Sequence, residues 1–128
     1  MFGNTKATNG FAVDDIEAAK RFYGETLGLE VMVLSEEFGV TQIKTGDGRE
    51  TLMYAKPDFV PATYTILNFE VGDVDAAVDG LGDRGIEMER YEAFDQDEKG
   101  IARGQGPDIA WFKDPAGNIL SVLSQPLG

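Results

Sequence analysis

The sequence predicts an α+β fold in which two βαβββ modules form a curved mixed sheet around a central cavity. Three observations carry that prediction. Phe11-Ala12-Val13-Asp14-Asp15-Ile16-Glu17-Ala18-Ala19 returns as Phe69-Glu70-Val71-Gly72-Asp73-Val74-Asp75-Ala76-Ala77, at a constant spacing (69 − 11 = 58). The echo continues as Gly28-Leu29-Glu30-Val31 against Gly85-Ile86-Glu87-Met88, one residue closer. Finally, 128 residues suit one domain, and two copies are too few for a solenoid. The repeat therefore reads as pseudo-symmetry inside one domain, with modules of about 5–56 and 63–125.

Each element follows from local pattern. Thr8 to Val13 reads as a strand, and Asp14 or Asp15 caps the helix after it. Ile16, Ala19, Phe22, Tyr23 and Leu27 share one helical face, while Glu17, Lys20 and Arg21 fall outside it. Gly28 stands where helices commonly end in the left-handed conformation. Leu29–Ser35 and Phe38–Lys44 are the next strands. Thr45-Gly46-Asp47-Gly48 is a hairpin turn, and Glu50–Lys56 is its second arm.

After the proline-flanked connector 57–61 the plan repeats. Thr63–Val71 is a strand, and Asp73 caps a helix burying Val74, Ala77, Val78 and Leu81. Gly85 ends that helix, and Ile86–Ala93 is read as a strand. Phe94–Pro107 is a polar, glycine-containing loop, either a lid or a solvated connection. Ile109–Lys113 and Asn118–Ser124 are the closing strands, joined by Asp114-Pro115-Ala116-Gly117. Alternation puts Phe11, Val13, Phe69 and Val71 under the helices. Thr8, Gly10, Ala12, Ile66, Asn68 and Glu70 then face the other way, towards the expected cavity.

Composition removes several kinds of chemistry. With 23 acidic and 11 basic residues the formal charge is −12, so there is no basic footprint for nucleic acid. The acidity suits solubility and could also attract a cationic small molecule. Without cysteine there is neither a disulfide nor thiolate chemistry, and without histidine no Ser-His arrangement and no imidazole ligand or base. No apolar run reaches membrane-spanning length, and Met1–Lys6 lacks the pattern of a signal peptide. A cytoplasmic location is the expectation.

Val13-Asp14-Asp15-Ile16-Glu17-Ala18-Ala19-Lys20-Arg21-Phe22-Tyr23 resembles the first strand-to-helix passage of the vicinal oxygen chelate superfamily, and Asp114-Pro115-Ala116-Gly117-Asn118 resembles its entry into the last strand. That superfamily comprises glyoxalases, bleomycin-resistance proteins and extradiol-type dioxygenases, and the resemblance covers essentially the whole chain. It implies a homodimer and, in the family's enzymes, a divalent metal held by four strands through His, Glu or Gln. The family's spacing places three of those ligand positions at Thr8, Ile66 and Ser121, and superposing Gly48 on Gly117 carries Ser121 back to Leu52 as the fourth. None carries a carboxylate or imidazole, so neither a metal nor another cofactor is expected.

Two readings of function remain. One is a metal-free binder similar to the bleomycin-resistance branch, holding a cationic or aromatic ligand between the modules or across a dimer. Glu70 would be its anionic contact, Trp111 its stacking surface, and Thr8, Asn68 and Ser121 its hydrogen-bonding groups. Phe38, Tyr54 and Tyr64 would add aromatic walls, with Leu52 and Ile66 beside them. The other is a glyoxalase-like lyase, isomerase or dioxygenase-related enzyme. It would use Glu70 as acid or base, or a metal site that a one-residue shift brings to Glu50 or Glu70. An interaction module for another protein is a third, weaker alternative.

Overall fold

In the computed structural model, residues 1–104 and 106–124 are described. Position 105 of the expected loop and the expected module end at 125 lie outside them. The chain divides into two compact units at Pro61/Ala62, and the class is α+β.

Unit 1 contains β1 (Asn9–Val13), α1 (Ile16–Arg21), β2 (Glu30–Ser35), β3 (Val40–Lys44) and β4 (Glu50–Ala55). Its sheet has the order β1-β4-β3-β2, with β1 parallel to β4 and the other pairs antiparallel. Asp15, rather than Asp14, caps α1 by accepting from the Glu17 and Ala18 amides at 3.1 Å. The helix then widens into a π-helical turn over Phe22–Thr26, with Leu27 N–H donating to Phe22 O at 2.9 Å. Gly24 lies in this turn because a Cβ there would stand 3.2 Å from Val31 Cγ2 on β2. Tyr23 is fully buried against Phe11, with ring centroids 5.6 Å apart. Gly28 closes the segment at φ +75. Phe38 lies in the turn before β3 rather than in the strand.

Unit 2 contains β5 (Thr65–Val71), α2 (Val74–Asp83), β6 (Ile109–Lys113) and β7 (Ile119–Ser124), with sheet order β5-β7-β6. Again the first strand is parallel to the last, β5 to β7. Asp73 caps α2 through the Ala76 amide at 3.0 Å, and Gly85 ends the segment at φ +80. α2 lies against β6 and β7, and its buried Val74, Val78 and Leu81 match the apolar row Ala110, Phe112, Leu120 and Val122. The turn into β7 is organised by the buried carboxylate of Asp114. It accepts from the amides of Ala116 and Asn118 and from the Asn118 side chain at 2.9–3.1 Å.

One expected strand is absent from the described residues: Ile86–Ala93 does not form a β-ladder. Glu89 N–H still donates to Trp111 O at 2.8 Å, so the segment runs along the edge of β6. The Gln96 side chain takes the next bonds. Its Oε1 accepts from Tyr91 N–H at 2.7 Å, and its Nε2 donates to Glu89 O at 2.9 Å and Gly100 O at 2.7 Å. A side-chain amide thus supplies what a neighbouring strand would supply, and the backbone turns away instead of extending.

Beyond that turn the chain straps onto α2. Arg103 donates to Asp75 at 2.9 and 3.0 Å, to Asp97 at 3.2 Å and to Asp108 at 3.0 Å, while Lys99 reaches Asp75 and Asp79. The Arg103 hydrogen bond holds the Asp75 carboxyl below the usual carboxylate range. For Asp97, desolvation acts upward but is outweighed by hydrogen bonds from the Ile101 amide and Arg103. Both groups are depressed on folding, so their contribution exists above the ordinary aspartate range and is lost as pH falls through the lowered native values. Amide-exchange protection at Ile101 and Ala102 is therefore expected to hold through mild acid and to fall only below that range. Loss of protection between pH 5 and 7 would contradict the assignment.

Candidate ligand-binding site

The face of the unit 2 sheet opposite α2 is ordered by strand register. Trp111 on β6 is paired with Ser121 on β7, which is paired with Asn68 on β5. Directly paired residues project to the same side, so the three form one row across the sheet. Ser121 is fully buried, and its hydroxyl donates to Asn68 Oδ1 at 2.6 Å. That bond fixes the rotamers of both groups and leaves the Asn68 amide nitrogen for another partner. Glu70 follows two residues along β5 on the same face. Both Asn68 and Glu70 are exposed, so neither stands in the dry surroundings expected of a buried carboxylate site.

Trp111 is nearly buried, and two aromatic rings cover it. Tyr91 meets it edge-on at 5.4 Å, and Phe94 lies over it at 4.8 Å with planes 33° apart. Both rings come from the turn that Gln96 pins, closed by Phe94 N–H donating to Tyr91 O at 3.1 Å. The Tyr91 hydroxyl is buried without a hydrogen-bonding partner, and desolvation raises its pKa above the ordinary phenol value. Unmet polar groups of this kind are uncommon in folded proteins. Tyr91 and Phe94 were not among the residues expected from sequence, where the segment read as a strand followed by a loop.

The other expected residues are dispersed. Thr8 lies just before β1, in a depression of about 180 Å³ that Lys6, Arg49 and Glu50 also line. Leu52 is half-buried on β4 and paired with Gly10 rather than Thr8. Ile66 is half-buried at an irregularity of β5, and it is Asn68 that pairs with Ser121. Tyr54 stands on β4 in unit 1, while Phe38 and Tyr64 are each about 70% exposed (72% and 70%) outside the strands. The aromatic wall expected from Phe38, Tyr54 and Tyr64 is thus not assembled within either unit.

The four positions matching the family's metal ligands do not fit a divalent cation. Leu52 and Ile66 have no donor atom, and the Ser121 proton is committed to Asn68. Among the described residues no group of three or more Asp, Glu, His or Cys side chains could hold a metal ion.

The family model for the glyoxalase/bleomycin resistance protein/dioxygenase superfamily matches residues 7–122. Solved structures share the fold at low identity. A protein from Bacillus anthracis assigned to the glyoxalase family superposes with a TM-score of 0.73 at 24% identity, covering 98% of this chain and 100% of the other. TnmS3, an antibiotic-binding protein from a Streptomyces species, gives 0.70 at 22% identity, over 96% and 98% of the two chains. Lactoylglutathione lyase from Agrobacterium tumefaciens gives 0.68 at 22% identity, over 95% of each. Among curated protein sequences none matches the chain. With the repeated strand-helix passage, the parallel first-to-last pairing in each unit and the match over nearly its whole length, the chain belongs to the glyoxalase/bleomycin resistance/dioxygenase superfamily.

Proposed function

We propose that the protein binds a small cationic or aromatic molecule on the helix-free face of the unit 2 sheet, without a resident metal or other cofactor. The row Trp111–Ser121–Asn68 is the observation that carries this reading. It offers an oriented amide, the carboxylate of Glu70 on the same face, and an aromatic cluster in which Trp111 is covered and Phe94 is the exposed ring. Cations are drawn to aromatic faces and to carboxylates together, and a net charge of −12 favours their approach. That one fold neighbour is an antibiotic-binding protein agrees with a sequestering role. An enzyme using Glu70 as acid or base has less support, because proton abstraction is favoured by a dry, positioned carboxylate and Glu70 is exposed. No helix among the described residues is long and apolar enough to cross a membrane. A cytoplasmic homodimer that does not bind nucleic acid completes the proposal.

Benzyltrimethylammonium is a suitable probe because it joins a ring to a fixed positive charge. Titration into the full chain is expected to change Trp111 fluorescence saturably, and Glu70→Gln is expected to weaken binding about threefold, as for an exposed ion pair. Unchanged affinity in the variant would remove Glu70 from the site. Absence of saturable binding to the wild-type chain would remove the site itself.

A further inference from the structure

The segment that follows α2 wraps around the outer edge of β6 and joins the two faces of the unit 2 sheet. Glu89 N–H donates to Trp111 O, and Ala102 and Ile109 exchange both backbone bonds at 2.8 and 3.1 Å, so the segment is fastened to that edge at two points. On the helix-free face it presents Tyr91 and Phe94, which cover Trp111. On the helix side it presents Lys99 and Arg103, which pair with Asp75 and Asp79 of α2. A continuous chain of bonds links the two ends. Arg103 donates to one oxygen of Asp97 at 3.2 Å, and the other oxygen accepts from the Lys99 and Ile101 amides at 2.9 Å. Arg90 donates to the carbonyls of Asp97 and Glu98, and Gln96 bonds to the Tyr91 amide and to the carbonyls of Glu89 and Gly100.

We propose that this segment is a latch, in which the ionic contacts on α2 set how often the aromatic cover lifts from Trp111 on the opposite face. Two arrangements are open to the cover. Closed, it buries the indole but strands the Tyr91 hydroxyl without a partner, which opposes closure. Open, the hydroxyl meets water and the ring contacts with the indole are lost. Phe94 is 43% exposed even when closed, so packing alone holds the cover loosely and the bonds behind it carry much of the closure. Coupling between distant groups needs an element with two arrangements that both ends bias, and this segment supplies one. The ion-pair partners of Arg103 and Lys99 are Asp75, Asp79, Asp97 and Asp108, all carboxylates. Salt shortens the screening length from about 10 Å at 0.1 M to about 3 Å at 1 M, so it loosens the latch. Its bearing on ligand access rests on the proposed role of the Trp111 face, whereas the coupling itself is measured with no ligand present.

The test is hydrogen exchange of the isotope-labelled full chain, followed by NMR at the Tyr91 and Phe94 amides and the Trp111 indole N–H. The Leu120 and Val122 amides of β7 serve as the reference. Arg103→Met removes the charge and keeps the length. It should speed exchange at the three reporters about threefold, the effect of one exposed ion pair, and leave the reference amides unchanged. Arg84→Met, at the end of α2 where Arg84 bonds only to its own helix through Gly80 O, should change none of them. Gln96→Leu should speed exchange at Phe94 and the indole further. Adding Arg103→Met to it should then change little more, because the two act along one chain of contacts. If Arg103→Met does not fold, the wild-type chain decides: raising NaCl from about 0.05 M to about 0.5 M should speed the reporters relative to the reference. Unchanged reporters in Arg103→Met or in salt, equal acceleration of the reference amides, the same acceleration in Arg84→Met, or additive effects in the double variant would each overturn the proposal.

Discussion

Trp111→Ala is expected to destabilise the chain by about 3–5 kcal/mol, the usual cost of truncating a buried aromatic side chain to alanine. Trp111 is 7% exposed and is the surface on which Tyr91 and Phe94 both rest. Removing it leaves a cavity and takes away the packing that holds the 91–94 turn. Against a typical total stability of roughly 5–15 kcal/mol, that loss is large. Chemical denaturation monitored by circular dichroism measures it, since the only tryptophan is gone. Trp111→Phe keeps most of the volume and should retain the fold, while Phe94→Ala should lose part of the affinity for benzyltrimethylammonium, because Phe94 is the exposed ring of the cluster. A Phe94→Ala variant with wild-type affinity would show that stacking on this cluster is not used.

Asp114→Ala should cost on the order of 3 kcal/mol, because it strands several donors in a buried turn at about 1–3 kcal/mol each. The Asp114 carboxylate gathers the amides of Ala116 and Asn118 and the Asn118 side chain, and Asn118 itself is 2% exposed. The turn launches β7, which sets the register of Ser121 between Trp111 and Asn68. Asp114→Asn can still accept some of these bonds, so it should lose less. Equal stability of the alanine variant and the wild type in urea titration would show that water satisfies the turn.

The fold was legible because its signals are local and repeated. Asp15 and Asp73 cap the helices, Gly28 and Gly85 end them, and the Asp47-Gly48 and Asp114-Pro115 turns fall where expected. Ile86–Ala93 failed because the competitor for its backbone groups is the Gln96 side chain, and nothing in strand periodicity reports such a partner. Site residues were harder. Alternation correctly separated Asn68 and Glu70 from Phe69 and Val71, but it carries no information on depth, and both polar residues are exposed. Trp111 stands on the strand expected of it. Its partners Tyr91 and Phe94 depend on a turn that is set by long-range hydrogen bonds.

The central claim is that this family member works through its own aromatic and amide groups, with no bound metal ion. Calorimetric titration of the chelator-treated chain with zinc, and separately with manganese, tests it most directly. The account predicts no stoichiometric binding of either ion and an unchanged affinity for benzyltrimethylammonium in the presence of chelator. One tightly held ion per chain, with probe binding that disappears on its removal and returns on its addition, would contradict it.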